Sequence, residues 1–218
     1  MAKDRWGEEA KKNTMLYPDE RVAVFLGRNF KPIENNFGKK SIDIGCGSGR
    51  HMKILADYGF DVYGIDCSKE AVKVAKDVLG DNENIKEIIA DDFVNLKIVN
   101  EFDCIIAYGL MMYKTMEETK KDLMQFKDML KPGGKILVNF RNYDNWFLKY
   151  SEKIGEGLYA LKSGAKEYEG INYFVCSCEE AVTMIKDVGL KIIDTERIDY
   201  WKRNSTERNS WEIFVLEK

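Results

Sequence analysis

The sequence carries no excess of positive charge: 34 lysines and arginines stand against 37 acids, a formal net charge of −3. A broad nonspecific grip on nucleic acid needs the opposite balance, because lysines and arginines must displace counterions from phosphates. No apolar run approaches the roughly 20 residues that span a bilayer, and no early one resembles a signal peptide. A cytoplasmic protein without membrane contact is the expectation. The five cysteines, Cys46, Cys67, Cys104, Cys176 and Cys178, are odd in number, scattered, and form no C-x-x-C pair, so reduced thiols and no metal site are expected. Cys176 and Cys178 lie beside an apolar run, where such thiols are more often small buried residues than a redox pair. Internal repeats and low-complexity segments are lacking too.

What is present is a 44% hydrophobic chain of 218 residues, enough for one α/β domain of ordinary size spanning 1–218. Between about residues 39 and 140, short β-rich runs alternate with longer helical patterns, the signature of a parallel sheet covered by helices. Five strands are expected: Lys40–Ile44, Asp61–Ile65, Ile85–Ala90, Phe102–Ala107 and Lys135–Phe140. Ser68 caps a helix with apolar positions at Ala71, Val74, Ala75 and Val78, and Gly80 suits its end. Thr115 with Glu118 forms a capping box, and the helix that follows stops at Lys131-Pro132-Gly133-Gly134.

Two segments stand outside this alternation. Residues 1–37 form a leader with a helix after Pro18, placing Val22, Phe25, Leu26 and Phe30 on one face. Residues 141–175 are rich in aromatics without one clean period. Directly after a strand, such an insertion reads equally as a substrate-side lid or as a second hydrophobic layer. The tail then regains order: a Ser177/Glu180 capping box, a helix ending near Gly189, and runs at Lys191–Tyr200 and Trp211–Leu216. The polar stretch Lys202–Ser210 reads as the loop of an antiparallel hairpin.

The most informative stretch is Ile42-Asp43-Ile44-Gly45-Cys46-Gly47-Ser48-Gly49-Arg50-His51-Met52. A dinucleotide loop needs G-x-G-x-x-G, but the third position is Arg50 counted from Gly45 and Met52 counted from Gly47. A phosphate P-loop fails as well, since no Gly-Lys-Ser/Thr follows. What remains is a strand, an acid and G-x-G-x-G at a helix N-terminus, where backbone amides suit a carboxylate as well as a phosphate. Asp66 ends the second strand, where an acid accepts the hydroxyls of a ribose. Ala90-Asp91-Asp92-Phe93 ends the third, offering a carboxylate for an exocyclic amine and a ring beside a base.

The series IDIGCGSG, YGIDCS, ADDF, FDCIIAYGLMMY and LKPGGKILV resembles the class I S-adenosylmethionine-dependent methyltransferases over about residues 37–140 and the C-terminal hairpin. The resemblance implies a Rossmann-like α/β fold: a seven-stranded sheet of order 3-2-1-4-5-7-6, strand 7 antiparallel, with helices on both faces. It implies S-adenosylmethionine as cofactor and S-adenosylhomocysteine as product. Carried over by position, Asp43, Gly45, Gly47 and Gly49 lie against the methionine part, and Asp66 holds the ribose. Asp92 meets the adenine amine with Phe93 beside it, Asp91 being the competing register, and Tyr108 sits near the methionine moiety.

Methyl transfer from a sulfonium is an in-line displacement in which the cofactor carries the activation, so alignment dominates and no acid–base pair is obligatory. Candidate catalysts are Tyr113, after the fourth strand, and His51, the sole histidine, although the first turn of a helix more often gives a histidine a structural role. Arg141, Tyr143 and Asp144, just past the fifth strand, are candidate substrate ligands, with surface ion pairing the plainer reading of Arg141 and Asp144. After strand four stands Ala107-Tyr108-Gly109-Leu110, without the [Asp/Asn/Ser]-Pro-Pro-aromatic motif of exocyclic-amine methylation, and no proline precedes a cysteine as in cytosine C5 chemistry. A small-molecule acceptor such as a sugar, amine or aromatic metabolite is therefore expected, with no nucleic-acid partner, for a monomer or homodimer. The rival readings are an NAD-dependent oxidoreductase or epimerase and a non-catalytic methyltransferase-fold partner protein.

Overall fold

The computed structural model describes residues 14–218, so the first thirteen residues of the leader lie outside the described residues. In chain order the elements are α1 (Glu20–Asn29), β1 (Lys40–Ile44), α2 (Arg50–Asp57), β2 (Asp61–Asp66), α3 (Lys69–Leu79), β3 (Ile85–Ala90) and β4 (Phe102–Ala107). They continue with α4 (Met116–Met129), β5 (Leu130–Arg141), β6 (Ser151–Lys153), β7 (Leu158–Leu161), β8 (Asn172–Phe174), α5 (Cys178–Asp187), β9 (Lys191–Lys202) and β10 (Glu207–Glu217). The seven-stranded sheet runs β3-β2-β1-β4-β5-β10-β9, and β10 pairs antiparallel with β9. Since β9 and β10 are the sixth and seventh strands of this sheet, the order is the expected 3-2-1-4-5-7-6.

The chain forms two compact units. The first runs through Ala107 and adds Asp128–Leu137. Its strands are parallel: Asp43 on β1 stands between Gly64 on β2 and Ile106 on β4. Helix α1 starts where Asp19 accepts the Arg21 N–H at 3.0 Å, and it buries Val22, Phe25 and Leu26, with Phe30 at its end. Ser68 caps α3 by accepting the Ala71 N–H at 3.2 Å, and Gly80, at φ 57°, ends it. Glycine at residue 64 leaves room for Met52, whose Sδ would lie 2.4 Å from a Cβ placed there.

The second unit comprises Tyr108–Lys127 and Val138–Lys218. Both predicted capping boxes are present. Thr115 and Glu118 exchange bonds of 2.8 and 3.2 Å ahead of α4, and Ser177 and Glu180 do so at 2.7 and 3.1 Å ahead of α5. The aromatic insertion builds its own antiparallel sheet, β6-β7-β8. Trp146, Phe147 and Tyr173 are buried there with Met112, Leu161 and Ala165, a packed layer worth roughly 2 kcal/mol per large side chain.

Two boundaries differ from the sequence reading. β5 begins at Leu130 rather than Lys135, so the Lys-Pro-Gly-Gly stretch lies inside the strand. The hairpin loop is only residues 203–206, because Glu207 already pairs with Lys202. Arg203, Asn204 and Ser205 take φ of 50°, 56° and 61°, making the turn with left-handed residues other than glycine. No helix among the described residues is long and apolar enough to cross a membrane.

Candidate functional site

In the first unit the glycine loop leaves β1 and enters α2. Gly45, Gly47 and Gly49 all have positive φ, at 72°, 53° and 81°, a backbone path that other residues adopt only with strain. A Cβ on Gly47 would meet nothing within 4 Å, so the loop presents open backbone at that point. The loop is anchored on the second strand: Gly45 and Cys46 N–H groups donate to the Ile65 carbonyl at 2.8 and 3.1 Å, and the Gly47 N–H donates to Asp66 Oδ2 at 3.0 Å. Asp66 Oδ1 accepts from Ser68 N–H at 2.8 Å. Burial raises the pKa of Asp66 above the ordinary 3.8, opposed by these two backbone bonds and reinforced by the charge of Asp43.

Asp43 is the costly residue. It is 1% exposed, its Oδ2 is buried and accepts from no donor among the described residues, and Oδ1 stands 3.9 Å from His51 Nδ1. The amides of Gly45, Cys46, Gly47 and Gly49 are committed to the Ile65 carbonyl, Asp66 and, for Gly49, the Cys46 carbonyl. A buried carboxylate oxygen left unpaired costs about 1–3 kcal/mol or more, so a donor brought by a ligand would find an acceptor ready. His51 is buried too, and its Nε2 accepts the Asp19 N–H at 3.4 Å. Ser48 Oγ donates to the Met15 carbonyl at 2.7 Å. Two residues of the loop and its helix thereby hold the start of the chain's described part, contacts that hydrophobic periodicity could not reveal. The Cys46 thiol is pushed well above its ordinary pKa, first by burial and then by Asp43 and Asp66, which removes it as a nucleophile.

At the end of β3 both acids are engaged locally. Asp92 Oδ1 accepts from the Val94 N–H at 3.3 Å, Asp91 Oδ1 accepts from Asp92 N–H and Asn95 Nδ2 at 2.7 and 2.9 Å, and Phe93 is buried. Asp91 is exposed and Asp92 half-buried.

The remaining predicted residues lie in the second unit. Tyr108 directly follows β4 and precedes Gly109, whose N–H donates to Asn139 Oδ1 at 2.6 Å. Tyr113 packs against Tyr173 with ring centroids 5.4 Å apart and the rings tilted by 57°. Tyr143, 41% exposed, donates to Glu180 Oε2 at 3.0 Å; burial first, then this bond, raises its pKa. Asp144 pairs with Arg197 and with Arg208, the surface ion pairing anticipated for it. Arg141 behaves otherwise: it is buried, has no carboxylate partner, and lies with its guanidinium carbon 3.8 Å from the Trp211 ring centroid. Asn145 and Asn209 hold it at 2.8 and 3.1 Å, and neither carries a motif that would single it out in the chain.

A parallel α/β sheet with a glycine turn after its first strand and acids closing the second and third is a nucleoside-binding architecture of the Rossmann-like class. The profile of a methyltransferase domain matches residues 42–134. The phosphoethanolamine N-methyltransferase of Plasmodium falciparum is 27% identical over 209 residues, covering 86% of this chain and 73% of that protein. The ubiquinone biosynthesis O-methyltransferase of Idiomarina loihiensis is 32% identical over 124 residues, covering 53% of this chain and 50% of that one. The crystal structure of the Burkholderia thailandensis 1,6-didemethyltoxoflavin-N1-methyltransferase superposes with a TM-score of 0.70 at 14% identity, covering all of this chain and 87% of the other, a likeness of fold. Residues 42–134 thus match a methyltransferase domain, and the relatives and structures support the class I S-adenosylmethionine-dependent methyltransferases as the family of this chain, a class whose methyl donor is S-adenosylmethionine and whose product is S-adenosylhomocysteine.

Proposed function

We propose that the protein methylates a small organic molecule, with the cofactor held by Asp43, Gly45, Gly47, Gly49, Asp66, Asp92, Phe93 and Tyr108. The observation that carries this assignment is the unpartnered Oδ2 of Asp43 beneath three glycines in left-handed backbone. That oxygen suits an ammonium donor, and the exposed backbone at Gly47 admits close approach. Asp66 keeps acceptor capacity beyond its two backbone bonds for a ribose diol. S-adenosylmethionine, when bound, supplies a methyl group already activated on sulfonium. The chain's own work is then to bind, orient and exclude water. Tyr113 is the candidate to take a proton from an oxygen nucleophile. His51, bridging Asp43 and the Asp19 backbone, is better placed to position the loop than to act on a substrate.

The small-molecule acceptor is supported by the net charge of −3 and by the names of the relatives, which act on phosphoethanolamine and in ubiquinone biosynthesis. Production of S-adenosylhomocysteine on incubation with S-adenosylmethionine and a panel of sugars, amines and aromatic acids, beside RNA, DNA and protein, tests it. Turnover with members of the small-molecule set is expected; methylation of RNA, DNA or protein alone would refute the reading.

A further inference from the structure

The second unit holds a buried cation with no carboxylate partner among the described residues. Arg141 closes β5 and is 5% exposed. Both of its hydrogen bonds leave from Nη1, to Asn145 Oδ1 and Asn209 Oδ1, which are neutral acceptors. Nε is buried and donates to nothing. Three aromatic rings face the guanidinium carbon, Trp211 at 3.8 Å, Phe147 at 5.3 Å and Tyr173 at 5.9 Å.

Carboxylates are present in the same stretch of chain, but each is matched elsewhere. Glu207 pairs with Lys166 and Arg203, Glu212 with Asn142 and Arg197, and Asp144 with Arg197 and Arg208. Arg141 is therefore the exception in a neighbourhood where acids and bases are otherwise paired. A buried charge without a partner is destabilising unless something else compensates it. Stacking on Trp211 offsets part of this, since cation–π contacts contribute about 2 kcal/mol when desolvated, but stacking engages the ring face of the guanidinium and leaves its edge unused.

We propose that Arg141 is the receptor for a carboxylate on the methyl acceptor, taken in a bidentate fork by the Nε and Nη2 edge. The two asparagines fix the opposite corner and so set the fork's direction before any ligand arrives, which lowers the entropy lost on binding. Tyr173 also lies beside this cation, its ring 5.9 Å from the guanidinium carbon and 5.4 Å from the ring of Tyr113. A single fixed cation balances one negative charge, which favours a carboxylate over a phosphate dianion. The assignment rests on the methyltransferase reading and narrows its substrate class to organic acids.

The test follows the Nε–H resonance of Arg141 by ¹H–¹⁵N NMR in the full-length protein, identified by its loss in Arg141→Lys or, if that variant does not fold, by its contacts to Trp211. Benzoate should shift it saturably, while benzamide at equal concentration leaves it in place. A saturable shift with inorganic phosphate and none with benzoate would overturn the carboxylate in favour of a phosphate group, and no saturable shift with either would overturn the receptor altogether. S-adenosylhomocysteine added to the same sample should shift the amides of the glycine loop. Failure of that shift would strike the methyltransferase reading, whereas failure of the benzoate shift alone strikes only Arg141.

Discussion

At the scale of single residues, the two acids on neighbouring strands carry opposite liabilities. Asp66 is tied to the loop by Gly47 and Ser68 N–H groups, so Asp66→Ala removes both a ligand contact and a loop anchor. The expected result in calorimetry is at least a tenfold loss of S-adenosylhomocysteine affinity, about 1.4 kcal/mol. The raised pKa of Asp66 gives this a pH signature. A carboxylate whose folded value exceeds its unfolded value contributes stability below the unfolded pKa and loses it as pH rises through the folded one. Cofactor affinity, which needs the ionised form, should run the other way, weakening on acidification from a pH above 3.8, with Asp66→Asn removing that dependence. Asp43 is different because its Oδ2 has no donor among the described residues. In Asp43→Asn the unliganded protein should melt no lower than the native protein, while S-adenosylhomocysteine affinity falls at least tenfold, a loss of about 1.4 kcal/mol; a lower melting temperature with unchanged affinity would make Asp43 purely structural.

At the scale of elements, caps and turns decide where segments begin. Ser177→Ala should lower stability by about 1 kcal/mol through loss of one half of the box before α5, read as a lower midpoint in urea with an unchanged slope. These starts were legible because a cap is a local event: serine, threonine and glutamate three residues apart need no partner from elsewhere. The strands β1 and β4 were legible for a related reason, since buried parallel strands read as short apolar runs bounded by turn residues. The ends of β9 and β10 were not. β9 is an edge strand with mostly exposed residues and little apolar alternation, so Lys202–Ser210 looked like loop. Backbone pairing with β10 carries the strand on to Lys202, a force that composition does not record.

At the scale of the molecule, the sheet order came with the family resemblance, while the glycine turn and the acids at the ends of the second and third strands, on which the proposed cofactor site rests, stand where register counting put them. The surroundings of Arg141 were not legible in the chain. Arg141, Asn145, Asn209 and Trp211 are distant in sequence, and only folding makes one arginine the unpaired member of a paired neighbourhood. Asp144, its near neighbour and a candidate of equal standing in the sequence, is held in ion pairs instead. The spacing of the glycine loop, G-x-G-x-G without the last glycine of G-x-G-x-x-G, is also what separates this protein from an NAD enzyme. The most direct measurement of that claim is calorimetry of the full-length protein with S-adenosylhomocysteine and, separately, with NAD: saturable binding of S-adenosylhomocysteine and none of NAD is the expected result, and binding of NAD without S-adenosylhomocysteine would contradict it.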